Sequence, residues 1–150
     1  MARYHQGRFS PKNPSKYKGD PSAIVYRSSW ELRACVYFDN RKEVLSWSSE
    51  EVIVPYRCVF TGKLRRYYPD FVITVIGKDG RKVTHMIEVK PYKETIEPTP
   101  SKRKTKKYLR EVTTWGTNCT KWKYAREYCA DRKWIFTILT ERDLFTKKSV

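Results

Sequence analysis

Two apolar segments joined by a tight turn constrain this fold more than any other feature of the sequence. The segments are RRYYPDFVITVI, residues 65–76, and RKVTHMIEVKPY, residues 81–92. Both are rich in the β-branched and aromatic residues that favour strands. GKDG lies between them, and its Gly80 suits the left-handed position of a three-residue turn. The pattern predicts an antiparallel β-hairpin.

The turn also predicts which residues of the hairpin face each other. A three-residue loop would place Gly77 opposite Arg81. Counting back along both strands then places Asp70 opposite Glu88, at the open end of the hairpin. Lys90 follows Glu88 by two positions, so its side chain belongs to the same face. The hairpin therefore predicts two carboxylates and one ammonium group close together.

Two carboxylates on neighbouring strands repel each other unless a cation lies between them, and a divalent metal ion meets that need. Mg²⁺ held by Asp70 and Glu88 would suit phosphodiester hydrolysis, with Mn²⁺ as an alternative ion. Lys90 would orient or deprotonate the attacking water, or neutralise charge in the transition state. The alternative is a surface salt bridge across a hairpin, which stabilises by under about 1 kcal/mol.

A third acid comes from a predicted helix within RSSWELRACVYFDN, residues 27–40. Glu31 follows Ser28 at the spacing of a capping box, so its carboxylate could simply turn back to the N-cap amide. Three, four and seven positions further on lie Ala34, Cys35 and Phe38, the apolar face of this helix. That direction favours an inward carboxylate, and we expect Glu31 to join the acidic site.

The rest of the pattern completes an α/β order of helix, three strands, helix and strand. EEVIVPYRCVF, residues 50–60, predicts a strand whose Pro55 favours an edge or a bulge. A helical pattern follows Pro100, and Gly116 could divide it in two. KWIFTILT, residues 133–140, is almost continuously apolar, which predicts a strand in the sheet interior. We expect the last helix and strand to form a crossover.

The N-terminal residues 1–22 are polar, basic and interrupted by prolines, which predicts an extended arm and no helix. The core is expected to span 23–150, so that 1–150 forms a single domain. No stretch approaches 18 apolar residues, and no membrane interaction is expected. The four cysteines form no C-x-x-C pair, which predicts reduced, mostly buried thiols and no structural zinc site.

The charge of the chain indicates a polyanionic partner. Its 32 Lys and Arg against 16 Asp and Glu give a formal charge of +16, and residues 101–150 hold fourteen basic and five acidic side chains. With Tyr and Trp interleaved, this pattern favours nucleic acid, bound through phosphates, over a merely solvated surface. The candidate DNA-binding residues form one run: Lys102, Arg103, Lys104, Lys106 and Lys107.

The motifs together resemble a known family. YPDF at 68–71 and IEVK at 87–90 match the PD-(D/E)xK signature of restriction-like endonucleases. SSWE and EEVIVPY are similar to the endonuclease subunit of heteromeric cut-and-paste transposases. The opening YHQGRFSPKNPSKYKGD, with VYRSSWE after it, resembles the small head-completion nucleases of large tailed phages. This last resemblance extends over nearly the whole chain.

The resemblance implies a restriction-endonuclease-like core, a mixed sheet flanked by helices, with an extended basic arm. The family's acids fall on Glu31, Asp70 and Glu88, and its lysine falls on Lys90. The implied function is metal-dependent cleavage of double-stranded DNA, endonucleolytic, exonucleolytic or both, during head completion and head–tail joining. The implied partners are head, portal or neck proteins. The implied location of the protein is the host cytoplasm during assembly or the virion neck. A structural neck component without required catalysis and a transposition-type endonuclease are the alternatives.

Overall fold

A four-stranded mixed sheet with helices on both faces forms the centre of the protein in a computed structural model, which describes residues 4–144. In chain order the elements are β1 (Tyr4–Arg8), β2 (Val25–Ser28), α1 (Ser29–Asn40), β3 (Val44–Ser49), β4 (Val54–Arg57), β5 (Leu64–Tyr67), β6 (Phe71–Ile76), β7 (Lys82–Val89), α2 (Lys106–Arg132), β8 (Ile135–Leu139) and α3 (Glu141–Leu144). The sheet order is β3-β6-β7-β8, and only the β7–β8 pair is parallel. The α/β class is confirmed.

The central hairpin has the predicted register. Phe71 pairs with Ile87, and the ladder runs on to the turn, where the Gly77 amide donates to the Arg81 carbonyl at 2.9 Å. Gly80 has φ +80°, which a residue without Cβ adopts at little cost. The sequence of the turn therefore fixes the pairing of β6 with β7.

The last helix and strand form the predicted crossover. α2 packs on the sheet and leads to β8, which lies parallel to β7. Thr105 caps α2 by accepting from the Tyr108 amide at 3.1 Å, and the helix continues without a break for 27 residues. Gly116 does not divide the helix. A Cβ at that position would lie 2.8 Å from Cζ of Phe60, so the glycine leaves room for this ring.

The prediction that 133–140 is an interior strand was wrong, because β8 is an edge strand of the sheet. Its apolar character has another cause. Phe136 and Ile138 pack toward α2, whereas Leu139 packs toward α1, so both faces of an edge strand are covered. Ile135, at the start of the strand, is 49% exposed.

Three further boundaries differ from the sequence-based prediction. β3 was not predicted, since Ser-rich VLSWSS lacks the usual strand composition, yet Trp47 within it is fully buried. The strand predicted at 50–60 is only β4, which pairs with β5 in a separate two-stranded ribbon. The segment 65–76 divides into β5 and β6 around Pro69. Pro55 lies in β4, which is an edge strand of this ribbon, as its proline predicted.

Two apolar clusters cover the two faces of the sheet. One lies under α1 and includes Trp47 and Phe71, and the other lies under α2 and includes Met86 and Trp122. The N-terminal arm is mostly extended, and β1 pairs with β2, but a short 3-10 helix at Pro14–Lys16 contradicts the prediction of no helix there. Tyr17 directly after it is buried in the first cluster, so the core begins before residue 23. Within residues 4–144 no helix is long and apolar enough to cross a membrane. The buried cysteines are Cys35, Cys58 and Cys129, and Cys119 is exposed.

Candidate active site

One end of the central sheet gathers the predicted acidic residues. The register that pairs Phe71 with Ile87 places Asp70, just before β6, beside Glu88 near the end of β7. The end of β3 reaches the same edge, because Ser49 also pairs with Phe71. Asp70 and Glu88 therefore come together as the turn predicts.

Glu88 is a buried carboxylate with two partners. Its side chain is on the α2 face of the sheet, like that of Met86 two positions earlier. Only 6% of the residue is exposed, and its Oε1 accepts a 2.7 Å hydrogen bond from the Tyr67 hydroxyl. Its Oε2 lies 3.6 Å from Nζ of Lys90. Burial raises the pKa of Glu88, and the charge of Lys90 opposes that rise.

Asp70 is fixed by the backbone of the neighbouring strand. Its Oδ2 accepts a 2.7 Å hydrogen bond from the Val89 amide. Burial, followed by the negative charges of Glu88 and Glu31, raises the pKa of Asp70 well above its usual range. The three acids are therefore close enough to repel each other.

Glu31 combines both predicted possibilities. Its amide donates to Oγ of the N-cap Ser28 at 3.1 Å, and its own Oε2 accepts from the Arg27 amide at 3.2 Å, a contact like that of a capping box. Ala34, Cys35 and Phe38, the positions in line with it, are all buried. Burial raises the pKa of Glu31, and the charges of Glu50 and Glu88 add to the rise. Glu31 therefore keeps a cap-like contact and also lies within electrostatic reach of Glu88.

A second lysine lies beside the site and was missed in the sequence. Lys121, on the sheet-facing side of α2, has its Nζ 5.6 Å from the ring centroid of Tyr67 and 5.8 Å from that of Tyr56. Burial and the charge of Lys90 lower the pKa of Lys121, whereas Glu88 opposes that change. The only available signal was its place next to Trp122, within the apolar stripe of the helix.

No clear signal in the sequence indicates that two further residues, Tyr67 and Glu50, lie beside the site. Tyr67 is 4% exposed and donates to Glu88, but a tyrosine in a strand is equally expected as a packing residue. Glu50 is left-handed with φ +54°, which is uncommon for a residue with Cβ, and its amide donates to the Asp70 carbonyl at 3.1 Å. These contacts link distant parts of the chain, so local sequence does not reveal them.

The oxygen donors of the site fit a hard divalent cation. Within residues 4–144 no three His, Cys, Asp or Glu side chains lie close enough to hold an ion by themselves. Mg²⁺, however, is usually bound through one or two carboxylates, with waters and substrate phosphates completing its shell. Asp70 and Glu88 supply that number, and their repulsion gives a cation a favourable position between them.

The basic run does not join the carboxylates. Lys102, Arg103 and Lys104 lie in the loop before α2, Lys106 and Lys107 begin that helix, and all five are exposed. Fifteen positions separate Lys106 from Lys121, which is roughly 22 Å along a helix axis. The run is therefore separated from Lys121 and the acidic site by about four turns of α2.

Comparison with known proteins identifies the family of the chain. Residues 41–141 match the TnsA-like endonuclease N-terminal family, and this range contains Asp70, Glu88, Lys90 and Lys121. The chain is also 40% identical over 144 residues to the head completion nuclease of Enterobacteria phage T4, with 93% of each protein covered. The predicted restriction-endonuclease-like fold is thereby confirmed. The chain belongs to the TnsA-like endonuclease family and, through this full-length relative, to the phage head completion nucleases.

Proposed function

We propose that the protein is a Mg²⁺-dependent nuclease that hydrolyses phosphodiester bonds of double-stranded DNA during phage head completion. The observation that carries the proposal is the Glu88 carboxylate, buried opposite Asp70 and shared between Tyr67 and Lys90. A structural salt bridge needs neither the second acid nor the tyrosine. Paired acids beside a lysine are the chemistry that phosphodiester hydrolysis requires.

Asp70 and Glu88 are proposed to hold the ion. When bound, Mg²⁺ supplies positive charge to the scissile phosphate and its attacking water, and Mn²⁺ could replace it. The Tyr67 hydroxyl and the Val89 amide each fix one oxygen of a carboxylate, so the ligands keep their orientation without the ion. Glu31 adds a third negative charge, which strengthens attraction for a cation and contributes to its binding or orients its water.

Lys90 is proposed to act on the reacting groups directly. Its side chain is partly exposed, at 27%, whereas that of Glu88 is almost fully buried at 8%. An ammonium in this place can donate to the attacking water or to a phosphoryl oxygen as negative charge develops there. Lys121 contributes a second positive charge behind Tyr67.

The setting of the reaction is proposed from the relative and from charge. The T4 protein is a head completion nuclease, and a formal charge of +16 suits contact with packaged DNA. We place the activity in the host cytoplasm during assembly, or at the virion neck, at the filled head before the tail joins. Head, portal or neck proteins are the proposed protein partners.

Cleavage of linear and circular plasmid in Mg²⁺, Mn²⁺ or EDTA tests the enzyme. Wild-type protein should cut in the presence of Mg²⁺ and not in EDTA. Asp70→Asn and Lys90→Ala should each lower the rate by about a hundredfold or more. Lys82→Ala, an exposed change at the far end of the same strand as Glu88, is the matched control and should cut normally. Wild-type protein that cuts under no divalent ion would refute the proposal.

Complementation in a phage tests the biological role. Cleavage-dead, folded Lys90→Ala protein should yield filled heads that do not acquire tails, as electron microscopy would show. Normal virions from that allele would make catalysis dispensable. The protein would then be a structural neck component that retains the nuclease fold.

A further inference from the structure

The β4–β5 ribbon presents an exposed face with an unusual mixture of side chains. Residues directly opposite on the two strands share a face, and the pairs Pro55–Arg66 and Arg57–Leu64 form the outer one. All four are exposed, and Leu64 is the most exposed large apolar side chain of the described residues at 67%. The outer face thus alternates cations with apolar groups.

The tip of the ribbon continues this surface. Val59 is 64% exposed and Phe60 is 55% exposed. The chain reverses through Gly62, whose φ of +72° fits the turn, and the Arg57 guanidinium donates to the Gly62 carbonyl. Phe60 leans against α2 at Gly116, so the tip is held against the helix. An ordered apolar tip in water indicates a partner surface.

The charge of the ribbon indicates the class of partner. Between Val54 and Tyr67 the chain carries four basic side chains and no acidic one. They are Arg57, Lys63, Arg65 and Arg66. A polyanion that also offers apolar surface satisfies both features, and the DNA minor groove offers phosphates along its edges with sugars and base edges between them.

The ribbon is also joined directly to the candidate active site. The inner side chains Val54 and Tyr56 of β4 are buried in the cluster under α2, and Tyr67, at the end of β5, donates its hydroxyl to Glu88. Leu64 lies three residues earlier on the same strand, which is roughly 10 Å in extended chain. A DNA duplex carries one phosphate charge per roughly 1.7 Å of its axis and two charges per base pair, so each base pair takes roughly 3.4 Å. The length of this segment therefore corresponds to about three base pairs. A ribbon lying on DNA with its outer face would therefore contact the duplex within a few base pairs of the scissile phosphate.

We propose that the β4–β5 ribbon is a DNA-binding element of this nuclease, with its outer face and tip in the minor groove beside the cleavage site. Lys63 and Arg66 bind phosphates on the edges of the groove. Leu64 and Val59 pack against sugars and base edges. The Tyr67–Glu88 hydrogen bond then couples the binding of the ribbon to DNA with the geometry of the carboxylates. This inference rests on the proposed nuclease function and names how its substrate is held.

The salt dependence of DNA binding tests the phosphate contacts. Affinity for a short duplex is measured by fluorescence anisotropy in Ca²⁺, with Lys90→Ala in every protein to prevent cleavage. Adding Lys63→Ala and Arg66→Ala should lower the slope of log Kd against log salt by about 1.8, since each phosphate contact contributes about 0.9. When salt is raised from about 50 to about 200 mM, the factor by which affinity falls should then be about 12 times smaller than the factor for the Lys90→Ala parent.

A matched pair of lysines at the opposite end of the sheet controls for total charge. Lys78 and Lys82, beside the β6–β7 turn, are equally exposed and lie far from the ribbon. Their replacement by alanine should leave the slope unchanged. Equal effects of the two double variants would overturn the proposal. A Lys90→Ala parent that binds no DNA, together with wild-type protein that cuts none, would instead refute the nuclease function itself.

The apolar contact has its own test. Leu64→Ser and Val59→Ser, both on exposed side chains, should weaken DNA binding at least threefold and reduce the fluorescence change of 2-aminopurine placed beside the cleavage site. Ile135→Ser, at an exposed apolar position at the start of the edge strand β8, is the control. Unchanged DNA binding combined with a defect in tail joining would assign the ribbon to a protein partner and overturn the proposal.

Discussion

Removing one hydroxyl tests how the buried carboxylate is controlled. Tyr67→Phe deletes the 2.7 Å hydrogen bond to Oε1 of Glu88 and preserves the ring that packs against α2. A hydrogen bond to a charged group contributes about 1.5 to 3 kcal/mol, and about 1.4 kcal/mol corresponds to one pKa unit. The bond stabilises the ionised form of Glu88, so its loss should raise the pKa of this group further.

The consequence for activity depends on pH in a definite direction. Lys90, 3.6 Å from the other oxygen, keeps favouring ionised Glu88, so the effect should lie at the lower end of that energy range. The acid limb of the pH profile of kcat/KM should therefore move to higher pH. On that limb the variant should be about tenfold slower than wild type, and near the plateau the two rates should converge.

Stability and a matched variant complete the test. Tyr67→Phe should lower the free energy of unfolding at neutral pH by about 1 to 2 kcal/mol, because a buried charged acceptor loses its donor. Tyr56→Phe removes a hydroxyl from another buried tyrosine of the same ribbon, one that is not bonded to Glu88, and should leave the profile unchanged. If Tyr67→Phe leaves the acid limb in place, the tyrosine does not govern the ionisation of Glu88.

Four further predictions follow from the described contacts. Glu31→Gln should lower cleavage by about a hundredfold without loss of stability in urea unfolding, since glutamine can still accept from the backbone; near-normal turnover would remove Glu31 from the site. Because burial raises the pKa of Asp70 in the folded protein, its ionisation costs stability as pH rises from about 4 through that raised pKa. Asp70→Asn should therefore be more stable than wild type in EDTA at pH 7.5 and lose this advantage near pH 4; an advantage that is the same at both pH values would contradict this. Gly116→Ala should change stability by less than about 0.5 kcal/mol, because better helix propensity is offset by displacement of the Phe60 ring, whereas in a Phe60→Ala background it should add about 1 kcal/mol. Alanine at every basic residue of 102–107 should weaken binding to all DNA sequences alike and reduce the salt slope by about 0.9 per lost contact; an unchanged slope would show that these residues form only a solvated surface.

Local sequence was enough to predict the centre of the site. A turn of known length fixes the register of the strands that it joins, so GKDG alone aligned Asp70 with Glu88. Side-chain alternation then placed Lys90 on the same face. The helical spacing from Glu31 to Phe38 likewise predicted which side of α1 is buried.

Tertiary structure decided the sheet order and the remaining neighbours of the site. VLSWSS became β3 because it pairs with β6 and buries Trp47, despite a composition typical of a loop. β8 lies at the edge of the sheet and is nevertheless apolar, because helices cover both of its faces. The pattern of apolar residues in a segment indicates that its side chains are buried. It does not indicate whether a helix or another strand covers them.

The residues that sequence reasoning missed share one property. Tyr67 reaches Glu88 across 21 positions, and Lys121 approaches the same carboxylate from a helix 33 positions further on. Such contacts depend on where a ribbon and a helix pack on the sheet, which no local spacing encodes. The sequence by itself determined the pair of acids and the lysine beside them, because one turn and two strands are local structure. Packing across the sheet decided how buried those acids are, because their environment comes from segments distant along the chain.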